Sequence, residues 1–165
     1  MNIFVLSTHP QTAAKMQHDK HVVKMVLESA QMLCTAFDKP FKSPYKKAYI
    51  NHPCTVWART SIENYKWLLI HALALSSEYT YRYDKIHACN KVIKWCWRRY
   101  EGIKFPKKGL TERPLAMPVK YKTDDAVESY IKYYIGEKLN NAKWTNRKKP
   151  AIFSNIENNY LFTNP

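Results

Sequence analysis

Glycine and acidic residues are the scarce components of this 165-residue chain: three glycines, and 13 Asp plus Glu against 27 Lys plus Arg. With so little glycine beside nine prolines, five tryptophans and twelve tyrosines, the sequence is neither low-complexity nor disordered. It predicts a rigid, mostly helical chain with proline-punctuated loops. Cysteine is sparse too: Cys34, Cys54, Cys89 and Cys96 form no C-x-x-C pair and no metal-knuckle spacing, so reduced thiols are expected. No stretch reaches the roughly 18 apolar residues of a membrane span, and Met1 to Leu6 lacks the charged start and apolar run of a signal peptide. Action in a cytoplasm, a cell's own or an infected host's, is the expectation. Internal repeats and linkers are absent. At 45% hydrophobic residues the chain can bury one ordinary core, which predicts a monomer built as one domain over residues 1–165.

What is abundant is positive charge. A formal net charge of +14 favours a polyanionic partner, because each neutralised phosphate releases condensed counterions and the field speeds encounter. DNA or RNA fits better than a membrane surface, since no basic amphipathic helix stands apart from the globular pattern.

Along the chain, Asn2 to Ser7 is a short apolar run expected to pack, extended, into the core. After a short turn over residues 11–16, a helix is predicted from Asp19 to about Phe37, ended by Asp38-Lys39-Pro40. A basic loop follows, with Tyr45 and Tyr49 among lysines. Asn51 or His52 then caps a short turn carrying Trp57 and Arg59. Thr60-Ser61-Ile62-Glu63 reads as a capping box before a helix to about Arg82, apolar nearly all round and hence central. Another helix is predicted over 87–100, closed by Gly102. Residues 103–122 read as a long basic loop, and a last helix, capped by Thr123 or Asp124, runs to about Leu139 before a basic tail. The fold class is therefore mainly α, a single-domain bundle of four to five helices with an extended N-terminal segment and long basic loops.

The first long helix carries the chemistry. At roughly 100° per residue, Val22, Val26, Ala30 and Leu33 share one side, and His21, Lys24, Glu28 and Gln31 the other. His18 and His21 sit one turn apart, but no third ligand stands at metal spacing, so neither a metal nor another cofactor is expected. His71 lies among apolar residues and reads as a core histidine. Trp95 to Tyr100 reads as core plus rim.

Three segments resemble the pyrimidine-dimer DNA glycosylase/AP lyase family of phages and bacteria, the endonuclease V type. Leu6-Ser7-Thr8-His9-Pro10 is similar to that family's start, Leu27-Glu28-Ser29-Ala30-Gln31-Met32-Leu33 to the helix around its essential glutamate, and Tyr49-Ile50-Asn51-His52-Pro53 to a Y-x-N-H-P element of bacterial members. His21 and Glu28 reproduce the family's spacing of seven between a histidine and that glutamate. The chain departs from the pattern in having Leu27 before Glu28 and Gln31 after it, where members carry arginines.

The resemblance implies an N-glycosylase with AP lyase activity whose nucleophile is the chain's own α-amine, on Met1, or on Asn2 if Met1 is removed. Such an amine ionises near pH 8, about two units below lysine, so a useful fraction is nucleophilic at neutral pH. Attack on C1′ of a flipped or distorted nucleotide in duplex DNA expels the base and leaves an imine, which invites elimination of the 3′ phosphate. Glu28 would stabilise the oxocarbenium-like charge and move protons, and His21 would orient Glu28 or hold a phosphate. Lys20 and Lys24 would anchor the backbone, with His18, Asp19, Gln31 and His52 beside them. Arg59 and Asn64 would reach in from later helices, and Trp57, Tyr65, Tyr45 and Tyr49 would stack on bases. With a blocked terminus, Glu28 or Asp19 would activate water instead, leaving an intact abasic site. Two alternatives stay open: a non-catalytic nucleic-acid-binding protein, and a glycosidase acting on free or modified nucleotides.

Overall fold

The computed structural model describes residues 1–154. Within them lie six α-helices: α1 Pro10–Met16, α2 Asp19–Thr35, α3 Pro53–Ala58, α4 Ile62–Tyr83, α5 Asn90–Trp97 and α6 Ala126–Glu137. The architecture is the mainly α bundle the composition implies, with α1 a true helix rather than the expected turn. The expected α5 shortens at both ends: its chain tightens to a 3₁₀ turn at Tyr100–Gly102, where a side chain on Gly102 would meet the Phe41 ring at 2.6 Å.

Helix α4 occupies the centre, packed along α1, α2, α3 and α5. Its all-round apolar sequence puts Tyr65, Leu68, Leu69, Ala72 and Leu75 out of contact with water, and each large side chain so buried contributes about 1.5–3 kcal/mol. The cap is Ser61, whose Oγ accepts from Asn64 N at 3.1 Å. Thr60 does not cap, and Glu63 closes no box but accepts from Gly109 N at 2.8 Å, holding the 103–122 loop. A left-handed Asp84 (φ 52°) ends the helix, its N–H bonded to Thr80 O. The cap of α6 is Asp125 rather than Thr123 or Asp124, its carboxylate accepting from Glu128 N at 2.7 Å.

The basic tail beyond α6 is strapped down. Trp144 donates to Met16 O at 3.0 Å and Phe153 stacks on Tyr134 at 5.3 Å, so the start of the basic tail closes the core. A buried charge network fastens it. Arg82, sealed from solvent, donates to Asp19 Oδ1 at 2.9 Å and Glu78 Oε1 at 2.9 Å, while Arg147 holds Glu78 from the other side at 2.8 Å. Asp19 also accepts from Thr145 N and Oγ1, at 3.0 and 2.7 Å. Each charge is paired, as burial demands. Asp19 thus anchors the start of α2 to α4 and to the tail.

Candidate active site

The N-terminal segment folds back on itself. The Asn2 side-chain oxygen accepts from Ile3 N and Phe4 N at 2.7 and 3.2 Å, and its amide donates to Ala116 O in the long loop at 2.8 Å. This turn holds Phe4 at φ 53°, a left-handed conformation that costs a non-glycine residue about 1–2 kcal/mol. Burial of Ile3, Phe4, Val5 and Leu6 offsets that strain. The Met1 side chain is sealed in beside Thr55, whose hydroxyl donates to its sulfur at 3.3 Å.

The terminus so fixed meets the polar face of α2. Met1 N stands 3.7 Å from Glu28 Oε2, and Asn2 N donates to the same oxygen at 2.9 Å. The other oxygen faces Lys24 Nζ at 3.4 Å. Glu28 is 8% exposed, so its carboxylate is held between two amines with little water around it. His21, two turns up the helix, stacks on Phe4 at 4.1 Å, packs tilted against His18 at 4.1 Å, and its Nδ1 shares a hydrogen bond with Tyr134 OH at 2.9 Å.

These residues line a cleft of about 250 Å³, walled by Met1, Asn2, Phe4, His21, Lys24, Met25, Glu28, Ala116, Tyr133 and Lys138. It presents an amine, a carboxylate and a neutral imidazole in one recess, fit for nucleophilic attack with proton transfer. Among the described residues no group of three His, Cys, Asp or Glu side chains converges to hold a metal. Phe4, Met25, Ala116, Tyr133 and Lys138 were not singled out in the sequence. Ala116 and the α6 pair arrive by tertiary folding alone and leave no local signal, whereas the apolar start gave a clue to Phe4.

The other sequence candidates divide. His52 is half-buried, capping α3 by accepting from Cys54 N at 3.2 Å. Its pKa is lowered, first by burial and then by the terminal ammonium, with Glu28 pulling the other way, so it lies within electrostatic reach of the pair. Lys20 is exposed and Gln31 half-buried on the same α2 face. Tyr49 is 66% exposed. Arg59 lines a different cleft with Asp38, Lys47 and Lys104.

Five of the expected substrate contacts stand outside the cleft lining. Tyr65 is wholly buried with its hydroxyl on Leu33 O at 3.2 Å. Trp57 packs edge-on against Trp67 and donates to Thr111 O, leaving no face for a base. Asn64 is consumed by Trp57 O and by Thr111, which fixes the long loop. Tyr45 turns its hydroxyl to Cys89 Sγ at 3.3 Å. His18, 4% exposed, supports His21 rather than facing substrate.

Burial holds three imidazoles neutral. Desolvation pushes the pKa of His18 to about 4, that of His21 to about 3, with His18 and Lys138 adding to it, and that of His71 to about 3 in the core. The unfolded chain therefore binds protons below about pH 6.5 that the folded chain refuses, and stability falls as pH drops. The loss is up to about 1.4 kcal/mol per pH unit for each histidine, beginning below 6.5 and running toward the folded values. Thermal midpoints measured from pH 7.5 to 4.5 should be level above 7 and fall steadily below 6.5, with a shallower fall in His71→Gln. A midpoint unchanged down to pH 5 contradicts the buried neutral state.

Comparison with known families adds one finding. The family model described as pyrimidine dimer DNA glycosylase matches residues 1–91, which contain the terminus, α1 to α4 and Glu28. No curated protein and no solved structure gives a significant match.

Proposed function

This chain belongs to the pyrimidine dimer DNA glycosylase family, a DNA repair family whose substrate is DNA, and from that premise we propose that its terminal α-amine and Glu28 perform base excision and strand scission in one site. The observation that supports this most is the 3.7 Å approach of Met1 N to Glu28 Oε2 at the wall of the cleft.

In the proposed reaction the neutral amine attacks C1′ of a flipped or distorted nucleotide in duplex DNA. The glycosidic bond breaks and its electron pair leaves with the base, which takes up a proton. Glu28 accepts the proton that the attacking nitrogen loses and stabilises positive charge on the sugar. Glu28 gives that proton to the ring oxygen O4′ as the C1′–O4′ bond opens to a protonated imine, then, again a carboxylate, removes a proton from C2′, and the C3′–O bond breaks to release the phosphate. Water then hydrolyses the imine and returns the amine. His21, kept neutral, offers its ring edge to a sugar or phosphate oxygen, while Lys24 and Lys20 bind flanking phosphates. Removal of Met1 would leave the Asn2 nitrogen, now 2.9 Å from the same Glu28 oxygen, as the nucleophile. The protein acts as a monomer without a cofactor.

Borohydride reduction over undamaged, dimer-containing, abasic and hypermodified duplexes tests this. A covalent adduct is expected with abasic DNA and with at least one base-containing lesion. Salt-sensitive binding to all four without base release or adduct would instead mark a non-catalytic DNA-binding protein. Hydrolysis of free nucleotides with no DNA present would mark a nucleotide glycosidase.

A further inference from the structure

The hydrogen bonds around His21 fix where its proton sits. Tyr134 OH accepts from the backbone N–H of His18 at 3.1 Å, and the same hydroxyl meets His21 Nδ1 at 2.9 Å. A phenol has a single proton to give, and burial pushes the Tyr134 pKa up, so that proton stays in place. With the His18 N–H already donating to it, the hydroxyl donates to Nδ1. The His21 ring is neutral, so its own proton is on Nε2. Among the described residues Nε2 has no hydrogen-bond partner, and it is not sealed from solvent. An uncharged N–H donor is therefore left open at the cleft that His21 lines.

Lys138, at the end of α6, stands at the same cleft. Its Nζ lies 4.6 Å from the centre of the Tyr133 ring, and among the described residues no carboxylate pairs with it, whereas Lys24 is held by Glu28 at 3.4 Å. Its charge reaches His21. A cation and a neutral donor together suit an anion with several oxygens, the lysine supplying charge and the imidazole direction. Position decides which anion. His21 and Glu28 are seven residues apart, about 10 Å along the helix axis. The ring oxygen O4′ is bonded to C1′ and must lie at the amine beside Glu28, while the phosphates of that nucleotide lie a sugar's width away. The group at the His21 end is a phosphate.

Building on the proposed base-excision reading, we infer that Lys138 and the His21 Nε2–H seat a backbone phosphodiester next to the reacting sugar, and that Tyr134 is the positioning residue that presents the His21 donor to it.

Two readouts on the full chain test this. Long-range ¹H–¹⁵N spectra of protein labelled at the histidine nitrogens read the tautomer, with His21→Gln assigning the signal. Wild type should carry the His21 proton on Nε2, and Tyr134→Phe should move part of the signal to the Nδ1–H form. A wild-type proton on Nδ1 overturns the seat. The second readout is affinity for duplexes holding an unreactive tetrahydrofuran abasic analogue. Lys138→Gln should weaken binding about tenfold and lower the salt slope by about one, and Lys138→Arg should restore both. When the phosphate on one side of the analogue is replaced by a neutral methylphosphonate, wild type should lose about the same tenfold and Lys138→Gln nothing further. Equal losses from Lys138→Gln whether the phosphate on either side is charged or neutral overturn the seat and make the lysine a remote contact. Failure to trap natural abasic DNA while this coupling persists sinks the proposed chemistry and leaves the seat standing.

Discussion

Glu28→Gln should leave DNA binding within about twofold of wild type while lowering base release and imine trapping by about 10²–10⁴-fold, the range expected for loss of a positioned acid–base group. The amide keeps the size of the side chain and an oxygen that accepts from Asn2 N, so the 2.9 Å bond that seats the terminus survives and the fold is spared. What disappears is the base. Glutamine neither takes the proton from the attacking amine nor removes one from C2′, and it offers no charge to a developing oxocarbenium ion. Gel-shift affinity and single-turnover kinetics on the same abasic duplex separate the two effects. Parallel loss of binding and turnover would make Glu28 a structural residue, and retained turnover would remove it from the chemistry.

Selective transamination of the terminal amine to a ketone should abolish the trapped adduct altogether, a loss of at least about 10³-fold, because the covalent intermediate forms on that nitrogen. The rival is Lys24, whose Nζ lies 3.4 Å from Glu28, against 3.7 Å for the terminus. Distance does not separate these amines, but environment does. The Lys24 side chain is 68% exposed, whereas the Met1 side chain is 2% exposed. Lys24→Gln should therefore weaken affinity yet keep the adduct. The reverse pattern, with adduct lost in Lys24→Gln and kept after transamination, would assign the chemistry to the lysine.

Much of this arrangement was legible in the sequence, and the reasons for the rest are physical. Helical periodicity was enough to put His21, Lys24 and Glu28 on one stripe, since 3.6-residue spacing is set by the backbone. The apolar start Ile3 to Leu6 announced a buried terminus. The central α4 followed from its unbroken apolar pattern. The sequence gives no sign of side chains that are satisfied by distant partners. Asp19 looks like a first-turn acid available for work, but Arg82 and Thr145, far along the chain, consume it. Asn64 is taken by Thr111, and Tyr65 by the core, because a polar tip on a ring reads the same in sequence whether it faces a base or a buried carbonyl. The cleft wall at Ala116 depends on how the 103–122 loop is pinned by Asn2, Glu63 and Asn64, long-range bonds with no local pattern.

The most direct test is mass-spectrometric mapping of the borohydride-fixed adduct formed on an abasic duplex. The deoxyribose remnant should lie on the N-terminal peptide, attached to the α-nitrogen of Met1, or of Asn2 if the mature chain has lost Met1. Attachment at Lys24, or base release with no covalent species at any time, would contradict an amine-and-carboxylate site at the start of this chain.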